Sequence, residues 1–228
     1  MDTWLIGLIA LCVVGVAVIT YGALHDRANN RRREAEMLSA PTRDIPQFTP
    51  AAARPQYLSE LMARRSPTGT ATAGLNPADR LAITEQQAAA TTIGVGYASA
   101  DFVTDPTSGW AVLDHPRVLA CAEAPGSVRE LIGVLEKVAL AGVPLIIAAP
   151  SLPADVLGTL EVNQIQGRMQ VLVVTSADPH VIDEVVTATH AHLVSRIDLQ
   201  ASYVTDADLG RCARWVSDRR RSWVIGAA

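Results

Sequence analysis

The sequence predicts an α/β body carried behind one membrane-spanning helix. Three observations predict it: an uncharged apolar run over residues 4–24, a stretch rich in Arg, Pro and Ala that reaches to about residue 90, and, from residue 91, short apolar runs that alternate with amphipathic segments. Hydrophobic residues make up 49% of the 228, which supports a buried core and argues against a disordered chain. The formal charge is −4, from 19 Lys+Arg against 23 Asp+Glu, without the basic excess of a nucleic-acid binder. Of those cations 18 are Arg and one, Lys137, is Lys, a bias that fits a GC-rich genome and implies no mechanism. Cys12, Cys121 and Cys212 have no C-x-x-C spacing, which excludes a disulfide framework and a zinc ribbon and suits a reducing compartment.

The run WLIGLIALCVVGVAVITYGAL holds 21 residues without a charge. As a helix it spans roughly 31 Å, about one hydrocarbon core. Trp4 and Tyr21 stand near its ends, where amphipathic rings prefer the interface. A cleavable signal peptide fits less well: the run is long, Asp2 replaces the usual basic flank, and no A-x-A site follows. Arg27, Arg31, Arg32 and Arg33 follow the run, so the positive-inside rule predicts a single pass with the N-terminus outside and the body in the cytoplasm, at the plasma (inner) membrane. The same four arginines are the candidate membrane-surface residues, set against anionic lipid. Gly15 and Gly22 share a helix face that would admit a partner helix.

Residues 26–90 read as a tether with short helices. Pro41, Pro46, Pro50 and Pro55 break it, and SPTGTATAG over 66–74 is a flexible linker by composition. Tyr57, Leu58, Leu61 and Met62 fall on one face of a turn too short to be stable without a surface to lie on. Asn76 followed by Pro77 caps a helix to about Ala89.

The body, 91–228, begins its alternation with a strand at 117–123. Ser127 and Glu130 read as a capping box for a helix striped by Leu131, Val134, Leu135 and Val138 and ended by Gly142. A buried strand follows at 144–150, a helix at 153–166 stopped by Gly167, a strand at 169–174, a helix from Pro179 to His190 and a strand at 192–195. This order predicts a parallel sheet with right-handed crossovers. A last helix is expected over 206–218, with WVIG as a closing strand.

Catalytic motifs are missing: no G-x-G-x-x-G, no G-x-x-x-x-G-K-[ST] and no G-x-S-x-G occurs. His190 and His192 lack a third metal ligand at a fitting spacing. Asp178, His180, Asp183 and Glu184 cluster after a strand end, where α/β active sites lie, though a helix N-terminus attracts acids for dipole reasons alone. Cys121 and Cys212 read as core residues.

From residue 96 onward, GYASADF, RELIGVLE, AGVPLIIA, LGTLEVNQIQG and DLGRCARWV stand in one order over about 130 residues. This run resembles the apical domain of the group I bacterial chaperonin. The resemblance implies a swivelling β/β/α apical fold in which two helices frame a groove for polypeptide. By motif position the groove would be lined by Tyr97, Asp101, Phe102, Ile132, Leu135, Leu157, Glu161 and Val162, with Glu136 and Asn163 on its polar edges. Asp101 and Glu161 are acidic where that family is apolar, so the groove should favour a partner with Arg or Lys nearby. The family's G-D-G-T-T nucleotide motif does not occur, so the resemblance implies a binding surface without an ATP cycle. More loosely, the layout looks like an actinobacterial single-pass accessory subunit of Mce lipid importers.

The expectation is therefore a non-catalytic protein-binding module on a membrane anchor, serving a membrane complex or its subunits without nucleotide, metal, cofactor or nucleic acid. The alternatives are an ATP-independent holdase for unfolded chains at the membrane, and a small α/β enzyme using the 178–184 cluster. The turn at 57–62 could fill the groove in cis.

Overall fold

The structure, a computed structural model, describes residues 3–38, 64 and 74–227. The chain divides into two compact units, residues 1–57 and 58–228.

The first unit holds one helix, α1 (Thr3–Leu38). It runs past the apolar stretch because residues 25–38 contain neither Pro nor Gly and are rich in Ala, Arg and Glu. The expected tether thus starts as helix. Within α1, Leu11–Arg33 is long and apolar enough to cross a membrane. The Thr20 hydroxyl donates to the Val16 carbonyl at 2.6 Å, so this polar group is satisfied within its own helix. Arg27, Arg31, Arg32 and Arg33 are exposed.

In the second unit, α2 (Pro77–Gln87) is capped by Asn76, whose side chain accepts from the Asp79 N–H at 2.7 Å. The body then runs β1 (Thr91–Ile93), a 3₁₀ turn (Ala100–Phe102), β2 (Ala111–Asp114), β3 (Arg117–Cys121), α3 (Val128–Ala141), β4 (Leu145–Ala149), α4 (Ala154–Ile165) and β5 (Val171–Thr175). It continues through α5 (Pro179–Thr189), β6 (Leu193–Val194), α6 (Arg196–Gln200), β7 (Gly210–Ser217) and β8 (Ser222–Ala227). The fold is mixed α/β. β3, β4 and β5 pair in parallel, with Val118 opposite Ile146 and Ile146 opposite Leu172. β6 adds in parallel to the end of β3. β1, β2 and β8 form an antiparallel sheet around β7, whose first residues also pair with β3, so one strand belongs to both layers.

The helix expected over 206–218 is a correction: the segment is a turn followed by β7. Its acidic start misleads, because Asp208 accepts from the backbone and the hydroxyl of Thr205, both at 2.7 Å, and so closes a turn rather than opening a helix. Arg211 and Ala213 are then exposed while Gly210 and Cys212 are buried, the period of a strand. Gly210 is required by packing: a Cβ there would lie 2.5 Å from the Thr189 hydroxyl at the end of α5. The capping box at 127–130 is also corrected. Ser127 makes no side-chain cap. Glu130 instead accepts from the Gly126 N–H at 2.8 Å and from Arg196 and Gln200 of α6. These donors, Arg196 first, hold the Glu130 carboxyl down at about 2.

Trp215 is fully buried, and its indole N–H donates to Ser217 Oγ at 2.8 Å. Ser222 Oγ donates to the Val95 carbonyl at 2.6 Å, which leaves Ser217 to donate to Ser222 at 2.6 Å. This chain ties β7, β8 and the segment after β1 inside the core. On the outside, Lys137 Nζ of α3 donates to the Val204 carbonyl at 2.6 Å.

α2 is joined to the body by Asp105, which is fully buried. Arg80 donates to both its carboxylate oxygens, at 2.7 and 2.9 Å, and Ser108 donates through hydroxyl and amide. Arg80 foremost keeps the Asp105 carboxyl far below its ordinary value. A carboxylate held down in the fold confers stability that is complete above its unfolded pKa, about 3.9, and is lost as pH falls toward the folded value. Arg80→Ala strands a buried charge at neutral pH but a neutral acid once Asp105 is protonated. Urea unfolding of the full chain in detergent should therefore show a larger loss for Arg80→Ala at pH 7 than at pH 4. Equal losses would mean that Asp105 is not charged in the fold.

Candidate functional site

The candidate site follows from strand order. β3, β4 and β5 are consecutive in space, so the two right-handed crossovers between them bring α3 and α4 to one face of the sheet. The next crossover returns from β5 to β6 beyond β3, which sends α5 to the opposite face. α3 and α4 touch each other, and α4 also touches the 3₁₀ turn at Ala100–Phe102.

On α3, Leu131, Val134 and Val138 are buried, while Ile132 is 42% exposed and Glu136 is open to solvent. Leu135 packs half-buried against the core. On α4, Val156 and Leu160 are buried, and Leu157, Val162 and Asn163 are half-buried. The Asn163 amide donates to the Thr159 carbonyl of its own helix at 2.8 Å. Gln164 accepts from the Val171 N–H at 2.8 Å and pins the end of α4 to β5. Tyr97 is half-buried where its strand-like segment bridges Val174.

Phe102 departs from its expected place. It is 1% exposed and belongs to the core, so it cannot line an open groove. The reason is the turn: Ser99 caps it by accepting from the Asp101 N–H, and neighbouring residues of a 3₁₀ turn point about 120° apart, so Phe102 turns inward while Asp101 stays exposed.

Asp101 and Glu161 meet at a residue the sequence left unassigned. One guanidinium nitrogen of Arg64 donates to Glu161 at 3.0 Å and lies 3.4 Å from Asp101. Glu161 is 7% exposed; it and Asp105 are the buried charged residues among those described, and each is met by an arginine. A cavity of about 340 Å³ opens beside this contact, lined by Arg64, Asp155, Gly158, Thr159, Val162 and Asn163. A Cβ on Gly158 would stand 3.4 Å from the Arg64 guanidinium, an ordinary contact distance, so the cation lies against the surface of α4. The two acidic replacements were the available signal for a cation here. Tyr57, Leu58, Leu61 and Met62 lie outside the described residues.

Of the other chemistry-bearing groups, His180, Asp183, Glu184 and His190 line a second cavity, of about 770 Å³. Asp178 caps α5 by accepting from the His180 N–H at 3.0 Å, and Asp183 and Glu184 are exposed on that helix. His190 closes α5 in the left-handed conformation, and His192 faces Asp208 at 3.3 Å. Among the described residues no group of three His, Cys, Asp or Glu is placed to hold a metal. Burial pushes the Cys121 and Cys212 thiols up to about 12, which keeps both protonated and unreactive at neutral pH.

No family model matches the chain. A curated chaperonin, GroEL 5 of Bradyrhizobium diazoefficiens, is 33% identical over 138 residues, covering 58% of this chain and 26% of its own length. The chain thus spans about a quarter of that relative. An open-state monomer of a group II chaperonin from Methanococcoides burtonii aligns over 61% of this chain and 31% of its own, with a TM-score of 0.45 and 12% identity. The sequence similarity to GroEL 5 supports a chaperonin-like apical domain.

A buried carboxylate whose cation is removed costs stability, whereas replacing it by an apolar residue of similar volume is often neutral. Glu161→Leu should therefore leave the thermal midpoint within a degree or two, and Arg64→Ala should lower it further, as read by circular dichroism. The reverse order would show that Glu161 carries the larger share of stability.

Proposed function

We propose that this protein is a non-catalytic, membrane-tethered module that holds a segment of a partner protein in the cleft along α3 and α4. The observation that carries the reading is the exposure of Ile132 and the half-burial of Leu135 and Leu157, apolar side chains on two helices that touch. Paired ridges of this kind can hold an amphipathic helix or an extended strand. The similarity to GroEL 5 supports the same use of the domain. That Asp178 is taken up as the N-cap of α5 leaves one acid fewer for a catalytic use of the 178–184 cluster and supports a binding role.

The apolar stretch of α1 serves as the anchor, with the N-terminus outside and the α/β body at the cytoplasmic face of the plasma membrane. Arg27, Arg31, Arg32 and Arg33 lie at the inner leaflet. In this arrangement the protein acts as an accessory or stabilising subunit of a membrane complex, and a lipid or fatty-acid importer is the class its layout fits. The acidic pair Asp101 and Glu161 favours a dedicated partner over the general capture of unfolded chains.

Affinity purification of the full chain from native membranes in mild detergent, followed by mass spectrometry, tests the reading. A partner should co-purify with the wild type. Its recovery should fall at least about tenfold with Ile132→Asp, because a charge placed on the apolar ridge must be desolvated on binding. Full recovery with Ile132→Asp, or purification of this chain alone, would overturn the proposal.

A further inference from the structure

We infer that Asp101 and Glu161 form a guanidinium-binding site at α4 and the 3₁₀ turn, and that its occupant in the resting protein is the chain's own Arg64. The inference rests on the cleft reading and adds the chemistry the cleft selects: an arginine, first from within the chain and then from the partner segment that displaces it.

Three observations converge on this site. The first is burial. Glu161 stands on α4 next to the 3₁₀ turn and is almost closed off from water, and a carboxylate in that position demands a cation. The second is geometry. A single Arg64 nitrogen is shared between carboxylates from two separate elements, α4 and the 3₁₀ turn, at 3.0 and 3.4 Å. The third is room. The guanidinium lies against α4 at Gly158, and the cavity of about 340 Å³ continues along Val162 and Asn163. Arg64 itself stays 42% exposed, so the ion pair is accessible to a competitor instead of being sealed in the core.

An internal ligand is held at a high effective concentration, of millimolar order for short flexible connections. A partner segment must therefore supply both an arginine for the acidic pair and apolar contact for Ile132. A segment with only one of these displaces Arg64 poorly. This makes the cleft selective without a conformational change in the sheet.

The test uses the full chain in detergent and a fluorescein-labelled peptide with the sequence of residues 57–68, YLSELMARRSPT, followed by fluorescence anisotropy. Arg64→Ala should bind the peptide at least about tenfold more tightly than the wild type, because the internal competitor is gone. Adding Asp101→Asn and Glu161→Gln to Arg64→Ala should abolish the gain, and a peptide with both arginines replaced by alanine should not show it. Equal binding by wild type and Arg64→Ala would overturn the inference. A second measurement serves if Arg64→Ala folds poorly. Trypsin cleavage after Arg64, located by mass spectrometry, should be severalfold faster in Glu161→Leu than in the wild type; equal rates would overturn the inference. The two levels separate cleanly. If Arg64→Ala gains nothing while Ile132→Asp still loses the native partner, the internal occupant is wrong and the cleft reading stands. If Arg64→Ala gains the peptide while Ile132→Asp keeps the partner, the guanidinium site stands and the partner binds elsewhere.

Discussion

The organisation of the body depends on the parallel trio β3, β4 and β5. Every residue of β4 is buried, as are Val118 to Cys121 of β3 and Val171 to Val174 of β5. A sheet buried on both faces needs helices on both faces, and parallel strands can be joined only by crossovers long enough to carry them. Handedness then leaves little choice. Two crossovers in one direction set α3 and α4 side by side, and the return crossover sets α5 behind. The proposed cleft runs along the outer seam of that pair, so the neighbourhood of the two helices is a by-product of packing, and any selectivity would lie in the few side chains that packing does not consume.

Those side chains show a common device. The buried carboxylates Asp105 and Glu161 both take their arginines from residues that precede β1, Arg80 and Arg64. By chemistry, then, the stretch before residue 91 is partly annexed to the α/β body. The two contacts differ in what they fix. Asp105 has four donors and no exposure, which makes its pair a rivet for α2. Glu161 meets an arginine whose side chain is 42% exposed, so its pair lies at the surface where the Asp105 pair does not.

Much of the fold was legible because its signals are local. Pro77 after Asn76, Gly142 after a striped helix and the unbroken apolar run LIIAA each dictate one element, and the structure has each in place. The segment 206–218 was not legible. Acids at 206 and 208 imitate a helix start, and only the Thr205–Asp208 turn and the pairing of β7 with two sheets decide otherwise. Ser127 and Glu130 satisfied the capping-box pattern, yet Arg196, 66 residues on, takes the carboxylate instead. The site was legible in part. Asp101 and Glu161 announced a need for positive charge, but among eighteen arginines no local rule gives the address of Arg64. Phe102 was misplaced because motif position does not reveal which way a single 3₁₀ turn points its side chains.

Lys137 has a consequence outside the cleft itself. It is the one lysine in the chain, it lies on the helix that also bears Ile132 and Glu136, and its ammonium donates to the Val204 carbonyl. Acylation and amine-directed cross-linking thus find a single side-chain address in this protein. Any lysine-specific tag would report from α3, within two helical turns of the ridge, and from nowhere else along the polypeptide.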